Sequence, residues 1–200
     1  MTRSVRSIVP FAVAAVLAVG GAVVIASMDS SAPTGYHTSA SGALTIDARN
    51  RPKAPDLTGV TIDGKPFDLA AWRGKTIVVN AWAFWCGPCR RETPLLVRYE
   101  KEMKDKGVVV VGLNQGSGTA SAKAFVREFH VPYPNLHDPQ GRAVLKIPKE
   151  VLRAQGVPFT VVIDSQYRIA ATSAGEVNRS TLDEMTAWAT KPDKSGKVSR

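Results

Sequence analysis

The two cysteines of this chain stand three positions apart and separate two segments of opposite character. Before Cys86 comes the run TIVVNAW at residues 76–82, whose β-branched apolar residues predict a short buried strand. After Cys89 apolar residues recur at helical spacing, with charges on the opposite face, as far as Gly107. These residues are Leu95, Leu96, Tyr99 and Met103. The pair therefore lies where a strand turns into a helix, and Pro94 should kink that helix.

The rest of the chain alternates between strand and helix patterns. Asp63-Gly64 stands between two short alternating runs, which predicts a β-hairpin ahead of the first core strand. Further strands are predicted at 108–114, 159–164 and 167–173, and helices at 119–130, 142–156 and 180–189. Pro148 interrupts the second of these helices, and Ser180 is the predicted cap of the third. This order predicts an α/β domain with a mixed central sheet flanked by helices.

The first 26 residues have the character of an export signal. Arg3 and Arg6 precede an uncharged apolar run, Ile8 to Ala26, that is 19 residues long. That length is sufficient for a helix to span a bilayer and exceeds the roughly 7–15 apolar residues of a cleaved signal. We therefore expect a membrane anchor, with cleavage after Ala26 as the alternative.

The chain beyond this run is expected to lie outside the cytoplasm. No Lys or Arg occurs between residues 27 and 48, so the positive-inside bias places the N-terminus in the cytoplasm. Residues 27–50 are rich in Ser, Ala, Gly and Thr, which predicts a flexible linker. Residues 51–190 then form one domain, and residues 191–200 form a basic tail.

The composition argues against several other functions. The net charge is +9, but no stripe of interleaved basic and aromatic residues suggests nucleic-acid binding. The Gly-rich stretch at 114–121 has no Lys after its glycines to hold a phosphate, and no G-x-S-x-G occurs. His37, His130 and His137 do not have the spacing of zinc ligands, and the last two are expected in loops. No metal or cofactor is expected.

The cysteine pair could have four roles. A structural disulfide would close a loop too short to stabilise the fold much, and a zinc site lacks two further ligands. The third role, a peroxidatic cysteine, is disfavoured because the sequence upstream of Cys86 lacks the Pro and Thr that the peroxiredoxin family places there. A redox-active dithiol fits best, because a helix N-terminus favours the thiolate of Cys86. Cys86 should then be exposed and attack disulfides, while Cys89, one turn inside, resolves the mixed disulfide.

The motif WCGPC, followed by Pro94, resembles thioredoxin, and the resemblance covers nearly all of residues 51–190. GVPFTVVID resembles the second signature of that family, in which Pro158 would follow a cis peptide bond and lie against the dithiol. The resemblance implies the thioredoxin fold, here with an added N-terminal β-hairpin. It also implies that Trp85, Pro158 and the backbone of Val157 contact the substrate.

Two differences from thioredoxin indicate a particular group within its family. Asn80 stands where thioredoxin has a buried aspartate, and Glu92 lies one helical turn after Cys89, where it could take a proton from that thiol. The alternative for Glu92 is a solvated carboxylate paired with a neighbouring Arg. With the anchor and the hairpin, these features resemble the TlpA/ResA-like extracytoplasmic reductases, which commonly serve cytochrome c maturation. That implies apocytochrome c as the disulfide-containing substrate and a transmembrane thiol donor of the CcdA/DsbD type.

The direction of electron flow follows from the residues between the cysteines. Gly87 and Pro88 carry no positive charge, so the pKa of Cys86 should fall less than in a strong oxidant. Arg90 favours this thiolate and Glu92 opposes it, so their effects partly cancel. A reductase is therefore expected. The alternatives are a dithiol oxidase of exported proteins and a non-catalytic tethered adaptor.

Overall fold

The computed structural model of the protein describes residues 34–152 and 154–191. Nine strands and three α-helices lie within this part of the chain. The strands are β1 Tyr36–Thr38, β2 Leu44–Ile46, β3 Thr58–Val60, β4 Pro66–Asp68, β5 Thr76–Trp82, β6 Val108–Asn114, β7 Asn135–His137, β8 Phe159–Ile163 and β9 Ile169–Ala174. The helices are α1 Gly87–Met103, α2 Thr119–Glu128 and α3 Arg179–Thr190. None of these helices is long and apolar enough to cross a bilayer.

Seven strands form one mixed sheet in the order β1-β2-β9-β8-β5-β6-β7. β5 runs parallel to β6, and β6 to β7, whereas the other neighbours pair antiparallel. β5 and β6 begin and end at the predicted residues, and every residue of both strands is buried. The predicted mixed sheet is confirmed, and the cysteine turn follows directly from its central strand β5.

Each face of the sheet has its own core, because successive side chains of a strand point to opposite faces. Val78 packs in the core formed with α1 and α3, through residues such as Leu96 and Leu182. Ile77 and Val79 pack in the core on the opposite face. That second core is completed by residues of the β3–β4 hairpin region and of the segment before β8, namely Leu57, Phe67, Leu69, Ala143, Ile147 and Val151. Asn80, two residues after Val78, therefore points toward α1 and α3.

The predicted hairpin at Asp63-Gly64 is confirmed as β3 and β4, which pair antiparallel in a two-stranded sheet of their own. Gly64 adopts a positive φ of 80° in the connecting turn, a conformation that glycine accepts without strain. The hairpin packs on the edge strand β7, where Thr61 bridges to Leu136. It therefore covers the β7 edge of the main sheet.

The expectation of a flexible linker over residues 27–50 is wrong from Thr34 onward. A second hairpin, β1 and β2, pairs with β9 and extends the main sheet. Its small polar residues allow a tight turn, while Ala43 and Ile46 are fully buried. Arg51 then donates hydrogen bonds to the carbonyls of Ile46, Trp188 and Ala189, which ties this hairpin to the end of α3. The folded domain thus begins well before residue 51.

Three predicted elements of the C-terminal half need correction. Within its described residues, the segment 142–156 contains one 3₁₀ turn, Val144–Lys146, instead of a helix, since its helical periodicity arises from buried Ala143, Ile147 and Val151 in a series of turns. β7 occupies a stretch expected to be loop, and it includes His137. α3 is capped by Asn178, whose Oδ1 accepts from the Thr181 N–H at 3.0 Å, and Ser180 lies within the helix.

The other predicted helices agree with the structure. α2 covers most of the segment predicted at 119–130. α1 continues through Pro94, and the turn after it ends at Gly107 with a φ of 79°. The proposed anchor, Ile8 to Ala26, and nearly all of the basic tail lie outside the described residues.

Candidate active site

Cys86 and Cys89 are joined by a disulfide at the first turn of α1. Cys86 is the N-cap residue of the helix, and its Sγ accepts the Cys89 N–H at 3.1 Å. Pro88 lies in the first turn, where its missing N–H costs no helical hydrogen bond. On reduction, the same N–H group and the helix dipole would stabilise a thiolate at Cys86.

Cys86 is less accessible to solvent than the sequence predicts. Cys86 exposes 3% of its surface and Cys89 exposes none, so the expectation of an exposed Cys86 is wrong for this disulfide form. The reason is that the pair packs in an apolar cluster with Ile62, Trp82 and Phe125. Of the two, only Cys86 keeps any exposed surface. Trp85, by contrast, is 64% exposed beside the pair.

The Val157–Pro158 segment lies against the disulfide. The peptide bond between these residues is cis, as predicted, and β8 begins directly after it. The Val157 carbonyl oxygen lies 3.7 Å from Cys86 Sγ. The structure thus brings Trp85, Val157 and Cys86 to one place, although they come from segments 71 residues apart in sequence.

Glu92 is buried beneath the dithiol, one turn further along α1. Its Oε1 accepts a hydrogen bond from Asn80 Nδ2 at 2.8 Å, and its Oε2 accepts the Val177 N–H at 2.8 Å. Burial raises the pKa of Glu92 to about 7, while the Val177 and Asn80 hydrogen bonds lower it and the nearby charge of Glu176 raises it further. The carboxyl group can therefore gain or lose a proton near neutral pH.

The alternative for Glu92, a solvated carboxylate paired with an arginine, is wrong. Both neighbouring arginines bind other carboxylates: Arg90 pairs with Glu128, and Arg91 pairs with Glu176. The Arg90 guanidinium also lies over the Phe129 ring, 5.0 Å from its centroid. The charge of Arg90 is thus shared with Glu128, which reduces its expected effect on the Cys86 thiolate.

Asn80 links Glu92 to the centre of the sheet. It lies in the middle of β5, and its Nδ2 also reaches Thr160 Oγ1 of the neighbouring strand β8 at 3.2 Å. Both donor hydrogens of the amide are thereby used, one by the carboxylate and one by the hydroxyl. This arrangement fixes the orientation of the Asn80 side chain, which then holds the Glu92 carboxylate on the sheet side of α1.

Three participants in the site were not predicted from the sequence. Thr160 orients Asn80, and the Val177 backbone binds Glu92. Tyr133 is a buried neighbour, and its pKa is raised first by burial and then by the charge of Glu92. The sequence could have indicated Thr160, because it is a polar residue in an otherwise apolar strand. It could not have indicated the Val177 N–H, because every non-proline residue carries that group.

The histidines take no part in this arrangement. His130 adopts a positive φ of 52° in the turn after α2, and His137 Nδ1 lies 3.0 Å from Asn114 Oδ1 on β6. Within residues 34–152 and 154–191, no three His, Cys, Asp or Glu side chains are grouped so that they could hold a metal ion.

The geometry is suited to disulfide exchange. A sulfur lies at a helix N-terminus, and the carbonyl oxygen of the half-buried Val157 lies beside it. A buried carboxyl group that titrates near neutral pH lies one helical turn from the inner cysteine. Together these groups can transfer two electrons as thiols exchange with a disulfide, with Glu92 available for a proton.

Comparisons with known proteins agree with this geometry. The profile of the Redoxin family matches residues 49–187. The thiol-disulfide oxidoreductase ResA of Bacillus thuringiensis subsp. konkukian is 27% identical over 135 residues, which are 66% of this chain and 73% of that protein. The thioredoxin-like protein YneN of Bacillus subtilis is 30% identical over 135 residues, 66% of this chain and 75% of that protein.

A solved structure extends the likeness to the fold. The secreted thiol-disulfide isomerase of Corynebacterium glutamicum superimposes with a TM-score of 0.66 at 27% identity, covering 74% of this chain and 92% of that one. The predicted thioredoxin fold is thereby confirmed.

Proposed function

Because this chain belongs to the Redoxin family and is a TlpA/ResA-like thiol-disulfide oxidoreductase, we propose that it reduces protein disulfides outside the cytoplasm. In this proposal Cys86 attacks, Cys89 resolves and Glu92 accepts the proton of Cys89. The observation that carries the proposal is the buried Glu92, held by Asn80 and Val177 one turn from Cys89, with a pKa of about 7.

The reaction begins with the reduced protein. The Cys86 thiolate attacks one sulfur of the substrate disulfide, forms a mixed disulfide and expels the other substrate sulfur as a thiolate. Cys89 then gives its proton to the Glu92 carboxylate, and its thiolate attacks Cys86 Sγ. This second attack expels the remaining substrate sulfur and leaves the Cys86–Cys89 disulfide. Trp85 and the backbone of Val157 and Pro158 hold the substrate during both steps.

The reducing direction is favoured by the residues around Cys86. Gly87 and Pro88 bring no positive charge, and Arg90 is paired with Glu128, so the reduced thiolate lacks the strong stabilisation of an oxidant. The test is the reduction potential of the pair at equilibrium with glutathione. A value of about −270 mV, as in thioredoxin, supports the reductase. A value of about −120 mV, as in strong oxidases, would favour the dithiol oxidase instead.

The same measurement separates both enzymes from a non-catalytic adaptor. An adaptor would show no exchange with a model disulfide even when fully reduced. The matched controls are Cys86→Ser and Cys89→Ser, since each removes one thiol and leaves the binding surface in place.

The proposed location rests on the N-terminal sequence and on one structural relative. The apolar run from Ile8 to Ala26 supports a single membrane pass with the domain outside, and the Corynebacterium glutamicum relative is a secreted protein. Retention in the membrane fraction after a high-salt wash is the expected result for the full chain. Recovery as a soluble protein that begins at Ser27 would mean a cleaved signal and a secreted enzyme.

Apocytochrome c is the proposed client, and a transmembrane thiol carrier of the CcdA/DsbD type is the proposed donor. Disulfides form readily outside the cytoplasm, so a reductase there needs both a client that must stay reduced and a source of electrons. The C-x-x-C-H thiols of an apocytochrome c are such a client, because they must be free to bond haem. Similarity to the ResA proteins supports the same assignment.

A further inference from the structure

The segment from Gly175 to Asn178 joins β9 to α3 and contacts three parts of the site. The Gly175 N–H donates to the Pro158 carbonyl at 2.9 Å. The Val177 N–H donates to Glu92 Oε2 at 2.8 Å. Between them, Glu176 Oε2 accepts two hydrogen bonds from Arg91, from Nε at 3.0 Å and from Nη2 at 2.6 Å.

Two of these contacts, Arg91–Glu176 and Glu92–Val177, join α1 to the segment before α3 at neighbouring positions. Arg91 and Glu92 are adjacent on α1, and Glu176 and Val177 are adjacent in the segment before α3. The N–H that binds Glu92 belongs to the peptide group between Glu176 and Val177. Two side chains flank that peptide group: Val177 is buried in the core with α3, and Glu176 is held at the surface by Arg91.

We propose that Arg91 and Glu176 are positioning residues that hold the Val177 N–H against the Glu92 carboxylate and so set the pH at which Glu92 can accept a proton. This inference rests on the proposed role of Glu92 as the proton acceptor for Cys89. It adds two residues, both at the surface, to a site whose acceptor is buried.

The groups that face Glu92 determine the direction of the effect. Asn80 faces it from β5, Glu176 from the segment before α3, Tyr133 from the segment before β7 and Cys89 from its own helix. The Val177 hydrogen bond lowers the pKa of Glu92, and the charge of Glu176 raises it. Loss of Arg91 would release the hydrogen bond and leave the Glu176 charge uncompensated. Both changes raise the pKa of Glu92.

The ion pair contributes little to the fold itself. The Arg91 and Glu176 side chains are 63% and 35% exposed, and exposed pairs stabilise proteins only slightly. Asn178 caps α3 independently of the pair. A variant that lacks Arg91 should therefore fold and melt almost as the unaltered protein does, which separates positioning from stability.

The test uses the full-length, oxidised protein and the variants Arg91→Ala, Arg91→Lys and Arg179→Ala. Arg179 is the matched control, because its ion pair with Glu102 also joins α1 to the start of α3. Two quantities are measured by NMR: the pH titration of the Glu92 carboxyl carbon and the hydrogen exchange rate of the Val177 N–H. Thermal melting is recorded for each variant.

For Arg91→Ala we expect the Glu92 midpoint to rise by about half a unit to one unit, the scale of one lost hydrogen bond. We expect Val177 exchange to become several-fold faster, with little change in melting temperature. Arg91→Lys should restore part of both effects, and Arg179→Ala should alter neither. An unchanged midpoint and exchange rate in Arg91→Ala would overturn the inference, and so would an equal change in Arg179→Ala.

These readouts do not depend on catalysis, so the two proposals can fail separately. If Glu92→Gln leaves the rate of the resolving step unchanged, the acceptor role is wrong, whatever Arg91→Ala does to the titration. If Glu92→Gln slows that step while Arg91→Ala shifts nothing, only the positioning role is wrong.

Discussion

Asn80 donates a hydrogen bond to Glu92 across 2.8 Å, and this contact joins the middle of the central strand to the helix that carries the dithiol. The bond lowers the pKa of Glu92 against the larger effect of burial. Without it the carboxyl group would hold its proton to higher pH. The chemistry of the inner cysteine is thereby linked to a side chain within the sheet.

Replacement of Asn80 by leucine should raise the pKa of Glu92 above about 7. Leucine has the same branching and the same number of side-chain heavy atoms as asparagine but cannot donate a hydrogen bond, so the expected shift is about half a unit to one unit. The measurement is the carboxyl titration by NMR. Thr160→Val is the control, because it removes the other acceptor of Asn80 and leaves the bond to Glu92. A larger shift in that control would contradict this explanation.

Cys89→Ser should accumulate mixed disulfides with protein partners, and Cys86→Ser should not. Cys86 is the cysteine that keeps some exposed surface and lies beside the Val157 carbonyl, whereas Cys89 has no exposed surface. The measurement is non-reducing electrophoresis of the two variants after exposure to a disulfide-containing protein. Equal trapping by both variants would show that the roles are not divided in this way.

Glu92→Gln should slow the second step of exchange more than the first. The glutamine side chain keeps the size and can still accept from Val177, but it cannot take the proton of Cys89. Stopped-flow fluorescence of Trp85, next to the disulfide, can follow both steps. The rate of the second step in the unaltered protein should rise with pH through about pH 7, as Glu92 ionises, and this dependence should vanish in the variant. Identical pH profiles would leave Glu92 without a catalytic role.

Glu92 should also make the oxidised protein less stable as the pH rises. An unfolded chain releases this proton near pH 4.5, whereas the folded protein holds it to about pH 7. The folded state therefore binds more protons in this window, and the free energy of unfolding falls across it by about 3 kcal/mol. The free energy of unfolding of Glu92→Gln, measured with urea at pH 4.5, 6 and 8, should show little of that decrease. A variant with the same pH dependence as the unaltered protein would exclude Glu92 as its source.

A cell that lacks this protein should lose covalently bound haem from its c-type cytochromes. The proposed reductase keeps the C-x-x-C-H thiols of the apocytochrome free for haem attachment. Haem staining after electrophoresis measures the loss, and an added small-molecule thiol should restore the signal. Normal staining in a deletion strain with no second reductase would remove apocytochrome c as the client and leave general disulfide reduction.

The central strands and the dithiol could be predicted because their signals are local. β5 and β6 are runs of β-branched apolar residues, each of which follows a glycine turn closely, and their bounds agree with the structure residue for residue. The WCGPC motif and its position before a helix likewise lie within one short stretch. The place of Glu92, one turn after Cys89, follows from helical geometry alone.

The remaining features depend on contacts between distant segments. The accessibility of Cys86 could not be predicted, because Ile62 and Phe125 cover it from other parts of the chain. The helix predicted at 142–156 is wrong because buried residues spaced four apart occur in successive turns as well. Val177 carries no sequence signal, since its contribution is a backbone N–H.

The hairpin of β1 and β2 has a consequence for solubility. β2 pairs with β9 at Leu44 and Thr45, and so covers the outer N–H and C=O groups of a buried strand. A chain that began at Arg51 would leave β9 as an open edge, to which a strand of a second molecule could hydrogen-bond. Residues 34–46 therefore cover an edge of the sheet that could otherwise pair with a second molecule. Shortened forms that lack them should self-associate even though the dithiol is intact.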